Sequence, residues 1–271
     1  VFGGENATAP AETQNDSVSA DQTFDIGVIQ LISHPSLDAA RDGFVDKLTS
    51  LGGKFEEEFQ NAQGDKATLK TISQSMASKK KDLILAIATD SALSIAAETT
   101  ELPIVGTAIT DFVDSGLVQS NDKPGGNLTG STDFNPEAVT RQIQLIPQLV
   151  PNVKTVGLIY SSDEPNSLVQ IEKAKEELDN LGIAYEESTI SSVVDISQVA
   201  SSMVGKVEAI YVPTDNRLAS AMPTLARSTD PAGIVTVPGA AGMVDDGGTV
   251  TMPAGSVMLL ALIPISEPTR Q

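Results

Sequence analysis

The sequence predicts an α/β fold of two doubly wound, Rossmann-like lobes built on parallel sheets. Six apolar, β-branched runs each stop at a small polar cluster, and most lead into a helix-like stretch: Ile26–Leu31, Leu83–Ala88, Ile104–Ile109, Val156–Tyr160, Ala209–Val212 and, more weakly, Ile234–Val237. The runs form two consecutive βα series of about 110 residues each. A chain of 271 residues with 40% hydrophobic content suits two modest domains. Ligands of open parallel sheets sit beyond the carboxyl ends of the strands, so the polar clusters mark candidate binding corners.

In the first series, strand Asp25–Leu31 leads to a helix with Leu37, Ala40, Phe44, Leu48 and Leu51 on one face and Pro35 in its first turn. Lys54–Gln60 reads as a polar strand, and Asp65 as the cap of a helix carrying Leu69, Ile72 and Met76. Strand Asp82–Ala88, a helix from Ser91 and strand Pro103–Ile109 follow. Lys123-Pro124-Gly125-Gly126-Asn127 is a turn, and Leu128–Asp133 a short strand or crossing segment. The second series opens near Pro136 with a helix carrying Val139, Ile143, Ile146 and Val150, kinked or ended by Pro147. It continues through strand Lys154–Tyr160, a helix from Pro165, segment Ile183–Ile190, a helix from Asp195 through Met203, strand Val207–Val212, a helix around Leu218–Ala226 and strand Gly233–Val237. The domain reading is therefore a disordered tether over 1–23, an N-terminal lobe over 24–133, a C-terminal lobe over 134–250, and an atypical tail over 251–271. The tether is assigned because Val1–Gln22 has no apolar period and is rich in small polar residues.

Composition narrows the function. A net charge of −19 argues against nucleic acid, whose phosphates need clustered Lys and Arg. Lys79-Lys80-Lys81 reads as a solvated helix end, and Glu56-Glu57-Glu58 as an exposed acidic run. The chain has no cysteine, which removes disulfides, thiol catalysis and cysteine metal sites. One histidine is too little for a metal cage, and no Gly-x-Ser-x-Gly elbow, Gly-x-Gly-x-x-Gly turn or P-loop is present. Catalytic residues, metals and cofactors are therefore not expected. No stretch is long and apolar enough to span a membrane; Val257–Ile265 is too short.

The polar corners carry what chemistry there is. His34 stands beyond the first strand, facing either a ligand or water. Thr89-Asp90-Ser91, Thr110-Asp111 and Pro213-Thr214-Asp215-Asn216 follow strands, where capping is the commonest use of such residues. Helix-start amides that need caps also bind carboxylates, and Asp111, Asp133 or Asp215 could pair with an ammonium. Together the corners describe an amino-acid-like ligand.

Ile26-Gly27-Val28-Ile29-Gln30 and His34-Pro35-Ser36-Leu37-Asp38-Ala39-Ala40-Arg41-Asp42-Gly43-Phe44 resemble the opening of ABC-transporter substrate-binding proteins of the tryptophan-binding type. The resemblance extends, in family order, through Ala86-Ile87-Ala88-Thr89, Thr110-Asp111, Lys123–Gly130, Ser131-Thr132-Asp133, Glu164-Pro165-Asn166-Ser167 and Tyr211–Asn216, over roughly residues 25–250. It implies a type I periplasmic-binding-protein architecture and an extracytoplasmic receptor, periplasmic or lipid-anchored at its amino terminus. Such a receptor delivers an aromatic amino acid, tryptophan above all, to ABC permease subunits. The implied ligand-binding positions are His34, Ser36, Thr89, Asp90, Thr110, Asp111, Asp133, Ser161, Asn166, Thr214, Asp215 and Asn216. Helix-start amides with Thr89 would hold the carboxylate, and Asp111 or Asp215 the ammonium. Asp90 replaces a Pro or small residue of the family, and Ala240-Ala241 an acidic stretch. The ending after Gly247-Gly248 departs from the family and reads as truncated, frameshifted or non-native sequence. It is expected to leave the first lobe without a covering helix. Two alternatives remain open at this level: a ligand-sensing domain of a regulator or receptor with the same fold, and a small-molecule α/β enzyme.

Overall fold

A computed structural model of the chain describes residues 23–252 and 258–259. The expected tether and most of the atypical tail lie outside these residues. The architecture is α/β, as the sequence predicts, with two sheets flanked by helices.

The first sheet contains β1 (Thr23–Gln30), β2 (Lys54–Asn61), β3 (Leu83–Ile87), β4 (Ile104–Ile109), β5 (Leu128–Thr132) and β10 (Met258–Leu259), in the order β10-β5-β4-β3-β1-β2. Helices α1 (Pro35–Ser50), α2 (Lys66–Ser78) and α3 (Thr89–Ala96) connect its first four strands. The second sheet contains β6 (Thr155–Ser161), β7 (Ala184–Ile190), β8 (Ala209–Val212) and β9 (Val235–Pro238), in the order β7-β6-β8-β9. Around it run α4 (Pro136–Leu149), α5 (Pro165–Leu181), α6 (Ile196–Met203), α7 (Asn216–Ser220), α8 (Met222–Thr229) and α9 (Ala241–Asp245). Every strand pair is parallel except β10 with β5, where Met258 and Leu259 stand opposite Thr132 and Ser131. This piece of the tail thus returns to the edge of the first sheet.

The central strands read as unbroken apolar runs because helices cover both faces. Ile84, Leu85, Ala86 and Ile87 of β3 are fully buried, as are Leu158 and Ile159 of β6. Edge strand β2 instead carries charge, which discourages pairing with another chain. Arg41 donates to Glu57, and Lys79 and Lys81 pair with Glu58. Lys81 also bonds Asp25 at 2.6 Å and is buried, so this part of the basic cluster is internal rather than a solvated helix end.

Three element readings are corrected. Helix α3 begins at Thr89, not Ser91, because Ala88 turns the chain at φ 76° and ψ 157°. The single helix expected around Leu218–Ala226 is two helices, α7 and α8, separated at Ala221, just before Pro223. The short α9 after β9 was not anticipated. Pro147 ends rather than kinks its helix, since α4 stops at Leu149.

One close approach shapes the first sheet near its edge. Gly106 and Gly130 are partners between β4 and β5, and a Cβ on Gly130 would lie 2.0 Å from the Gly106 carbonyl oxygen. The ladder then shifts register between Gly106 and Ile109, where Ala108 takes φ 54°. Replacing Gly130 with Ala is expected to lower the melting temperature severely or abolish folding. Gly43, inside α1 with nothing within 4 Å of its built Cβ, is the control: Gly43→Ala should stabilise by about 1 kcal/mol. Thermal unfolding followed by circular dichroism checks both.

Candidate ligand-binding cleft

Strand order reverses where β1 lies beside β3 in the first sheet and where β6 lies beside β8 in the second. Those two switch points are where crevices open at the carboxyl ends of parallel strands. Their loops meet around one cavity of about 210 Å³, far larger than a water site. His34, Ser36, Leu37 and Ala40 come from the β1–α1 corner, and Thr107, Ala108, Thr110, Ser131 and Asp133 from the ends of β4 and β5. Asn166, Thr214, Asp215, Asn216, Ala219, Ala240 and Met243 close it from the second lobe.

Of the positions named from sequence, His34, Ser36, Thr110, Asp133, Asn166, Thr214, Asp215 and Asn216 line this cavity. Thr89 and Asp111 line a smaller gap, shared with Asn166. Asp90 bonds Lys66 at 3.1 Å and lines neither. Ser161 is fully buried behind the wall; its amide and hydroxyl donate to Asp215 at 2.6 and 3.0 Å.

The three carboxylates weighed for an ammonium differ sharply. Asp111 Oδ1 accepts from the amides of Val113 and Asp114, a local turn. The oxygens of Asp215 accept from Ser161 N, Ser161 Oγ, Ser167 Oγ and Leu218 N, capping α7. Asp215 is thereby fully engaged, while Asp111 has one oxygen held by its own turn. Asp133 keeps an open surface toward the cavity and has no cationic partner among the described residues. Protein crowded around it raises its carboxyl above the ordinary range, opposed only by its own amide.

The second-lobe wall rests on Glu164, which is fully buried. It accepts from Asn216 N at 2.9 Å, Asn216 Nδ2 at 2.8 Å, Asn166 Nδ2 at 3.3 Å and Arg217 N at 3.3 Å. Burial, then the nearby Asp215 carboxylate, push its carboxyl up to about 8 against these donors. Across the cleft, His34 Nε2 lies 3.3 Å from Asn216 Oδ1. Burial lowers the imidazole below its ordinary value, against opposing contributions from Asn216 and nearby carboxylates, leaving it neutral at pH 7. A second bridge joins the lobes: Lys66 of α2 donates to the Asp163 carbonyl, and its ammonium lies 3.4 Å from the Asp163 carboxylate, which Arg217 also grips.

The matrix model for ABC transporter substrate-binding proteins matches residues 25–256. The chain belongs to the ABC transporter substrate-binding protein family. A tyrosine-binding protein of Clostridioides difficile (strain R20291) is 37% identical over 227 residues, covering 82% of this chain. The chain spans 65% of that relative's length. An ABC domain of Streptococcus pneumoniae solved with L-Trp is 39% identical, covers 84% of this chain and 77% of its own, and superposes with a TM-score of 0.79. A ligand-free, open substrate-binding protein with adhesive properties from Clostridium difficile is also 39% identical, over 83% of this chain and 77% of its own, but superposes at 0.57. At equal sequence identity, the chain superposes better on the L-Trp complex than on the ligand-free, open structure.

The sequence reading missed Glu164 as the organiser of the wall, together with Thr107, Ala108 and the small residues Ala40, Ala219 and Ala240 as lining. Glu164 stood in a quoted motif, and its place two residues before Asn166 was the available signal. Nothing in the residue types marks the bulge that turns Thr107 and Ala108 inward.

A carboxyl raised on folding stabilises the protein at low pH, and that contribution is lost as pH rises through the folded value. Wild-type protein should therefore lose stability relative to Glu164→Gln between about pH 5 and 8. Melting temperatures of both proteins across that range test this, and a difference independent of pH would contradict it.

Proposed function

We propose that this chain is the solute-binding component of an ABC importer and binds an amino acid zwitterion, aromatic side chains preferred, between its lobes. It works outside the cytoplasm, either free in a periplasm or held at the membrane by a lipid on its amino-terminal side, and delivers its cargo to permease subunits. The lobes are read as residues 24–133 and 134–250, closing by hinge motion.

The observation that carries this reading is the meeting of both switch points around one cavity that holds an unpaired carboxylate, Asp133. Asp133, rather than Asp111 or Asp215, is the ammonium partner, because it lines the main cavity, whereas both oxygens of Asp215 are engaged and Asp111 stands in the smaller gap with one oxygen held by two amides. The hydroxyls of Ser36, Thr110 and Thr214 are placed to serve the ligand carboxylate. Leu37, Ala40, Ala219, Ala240 and Met243 supply the apolar wall; methionine sulfur packs favourably against aromatic rings. The tyrosine and tryptophan named with the relatives support the aromatic preference. His34, the chain's one imidazole, is engaged with an amide rather than a hydroxyl, which supports binding over catalysis.

Calorimetric titration with L-Trp, L-Tyr and L-Phe should give saturable heat with at least one of them; silence with all three sinks the ligand assignment. Asp133→Asn should weaken the binding by about 1.5–3 kcal/mol while sparing an analogue that lacks the amine. Closure has its own test. A Cβ on Gly242 of α9 would stand 2.8 Å from Ser36 Oγ on the opposite lobe. Gly242→Val should hold the lobes apart, weakening the ligand about tenfold or more and enlarging the radius of gyration in X-ray scattering. An unchanged affinity and radius would show that the two surfaces do not meet on closure.

A further inference from the structure

Glu164 touches no part of the cavity lining surface itself, yet its Oε2 receives the Nδ2 groups of two side chains that do, Asn166 and Asn216. An amide nitrogen can only donate, so an oxygen acceptor at this point fixes which way each amide faces. Asn166 Nδ2 also donates to the Thr214 carbonyl at 3.0 Å, so Glu164 and Thr214 together turn the Asn166 oxygen away, and Glu164 alone turns that of Asn216. Asn216 Oδ1 meets His34 Nε2 across the cleft, and an oxygen there requires the ring nitrogen to carry the proton. Asn166 Oδ1 is buried and has no hydrogen-bond partner, although Asn166 lines the cavity. A buried acceptor without a partner is costly, and a ligand N–H would satisfy it.

We infer that Glu164 is a positioning residue for the cleft: through Asn216 it holds His34 in the Nε2–H tautomer, and with the Thr214 carbonyl it turns Asn166 to present a bare amide oxygen to the ligand's N–H. The part that concerns the ligand rests on the zwitterion reading above; the part that concerns the tautomer does not. The acceptor, not the charge, does the orienting. Oε2 already accepts from three N–H groups, whereas Oε1 faces the Arg217 amide at 3.3 Å and the Arg217 guanidinium at 3.8 Å, so Oε1 is the less engaged oxygen and the one on which a proton on the carboxyl would sit. Oε2 accepts in either protonation state, and a glutamine carbonyl placed there would do the same. Asp215 cannot substitute, because its own oxygens are occupied by Ser161, Ser167 and Leu218.

The chain's single histidine makes the test clean, since one imidazole gives one pair of ring ¹⁵N resonances. In ligand-free wild-type protein those shifts should report the Nε2–H tautomer; a predominant Nδ1–H form would overturn the inference whatever the variants do. Glu164→Gln, which keeps the oxygen, should retain the tautomer and bind L-Trp or L-Tyr within about threefold of wild type. Glu164→Met, which removes it, should mix the tautomers and weaken the ligand about tenfold or more. Equal losses in Gln and Met variants would assign the effect to charge and refute positioning by the acceptor. If Glu164→Met does not fold, the wild-type tautomer and the Gln variant still decide the matter. Wild-type protein that shows the Nε2–H form but no heat with any aromatic amino acid would leave the positioning intact and remove the ligand reading instead.

Discussion

Two carboxylates buried side by side, Glu164 and Asp215, organise the second half of the cleft. Neither is exposed, and each accepts from four donors supplied by the loops after β6 and β8 and by the starts of α5 and α7. Burying such groups costs several kcal/mol each unless hydrogen bonds replace the lost water. The network therefore holds together as a unit: losing one donor leaves a buried oxygen short, and losing one carboxylate strands several amides. That mutual dependence converts two loops into a rigid wall, so the second lobe presents its polar groups already oriented and pays little ordering entropy on binding.

The first lobe reaches rigidity differently. Its side of the cleft includes backbone held in an unusual conformation, Ala108 at φ 54° in β4, while Ala88 at φ 76° turns the chain after β3 behind the lining. Each costs roughly 1–3 kcal/mol for a residue with a Cβ and persists only because the surrounding sheet determines it. The direct polar bridges between lobes are few: His34 with Asn216, and Lys66 with Asp163. The second involves a lysine side chain 38% exposed and an aspartate 44% exposed, so it contributes at most about 1 kcal/mol. On the hinge-closure reading proposed above, so few direct bridges among the described residues would leave the balance between open and closed lobes to what lies between them.

The strands and the corners were legible in the sequence because burial on both faces demands unbroken β-branched runs, and because polar residues gather where those runs end. Which corner residues face the cleft was not legible, since Asp serves turns, caps and ligands alike. The difference lies in the next few amides. Val113 and Asp114 fold back on one oxygen of Asp111, and Leu218, Ser161 and Ser167 fill both oxygens of Asp215. After Asp133 the cap of α4 is Asn135, whose side chain accepts from Glu137 N, and Asp133 is left free for the cavity. The start of α3 was misplaced for a related reason. Ala88 carries a backbone conformation that glycine ordinarily provides, and the residue type gives no sign of it.

The same arrangement assigns unequal roles in selectivity. The apolar wall is built mainly from small side chains, Ala40, Ala219 and Ala240 beside Leu37 and Met243, and Ala240 stands where the family resemblance leads one to expect acid. Apolar surfaces discriminate weakly, about 1–3 kcal/mol per methylene. A buried acceptor left unpaired discriminates far more strongly, because a ligand that cannot donate to it leaves the full desolvation cost unrelieved. On the zwitterion reading, the buried Asn166 amide oxygen thus demands a donor-bearing head group, the open Asp133 carboxylate adds attraction for its positive charge, and the wall tolerates a range of ring sizes. On the same reading, selectivity for the class of ligand would come from the polar corners, and choice within the class from how far the small residues of α7 and the β9–α9 loop let a side chain enter.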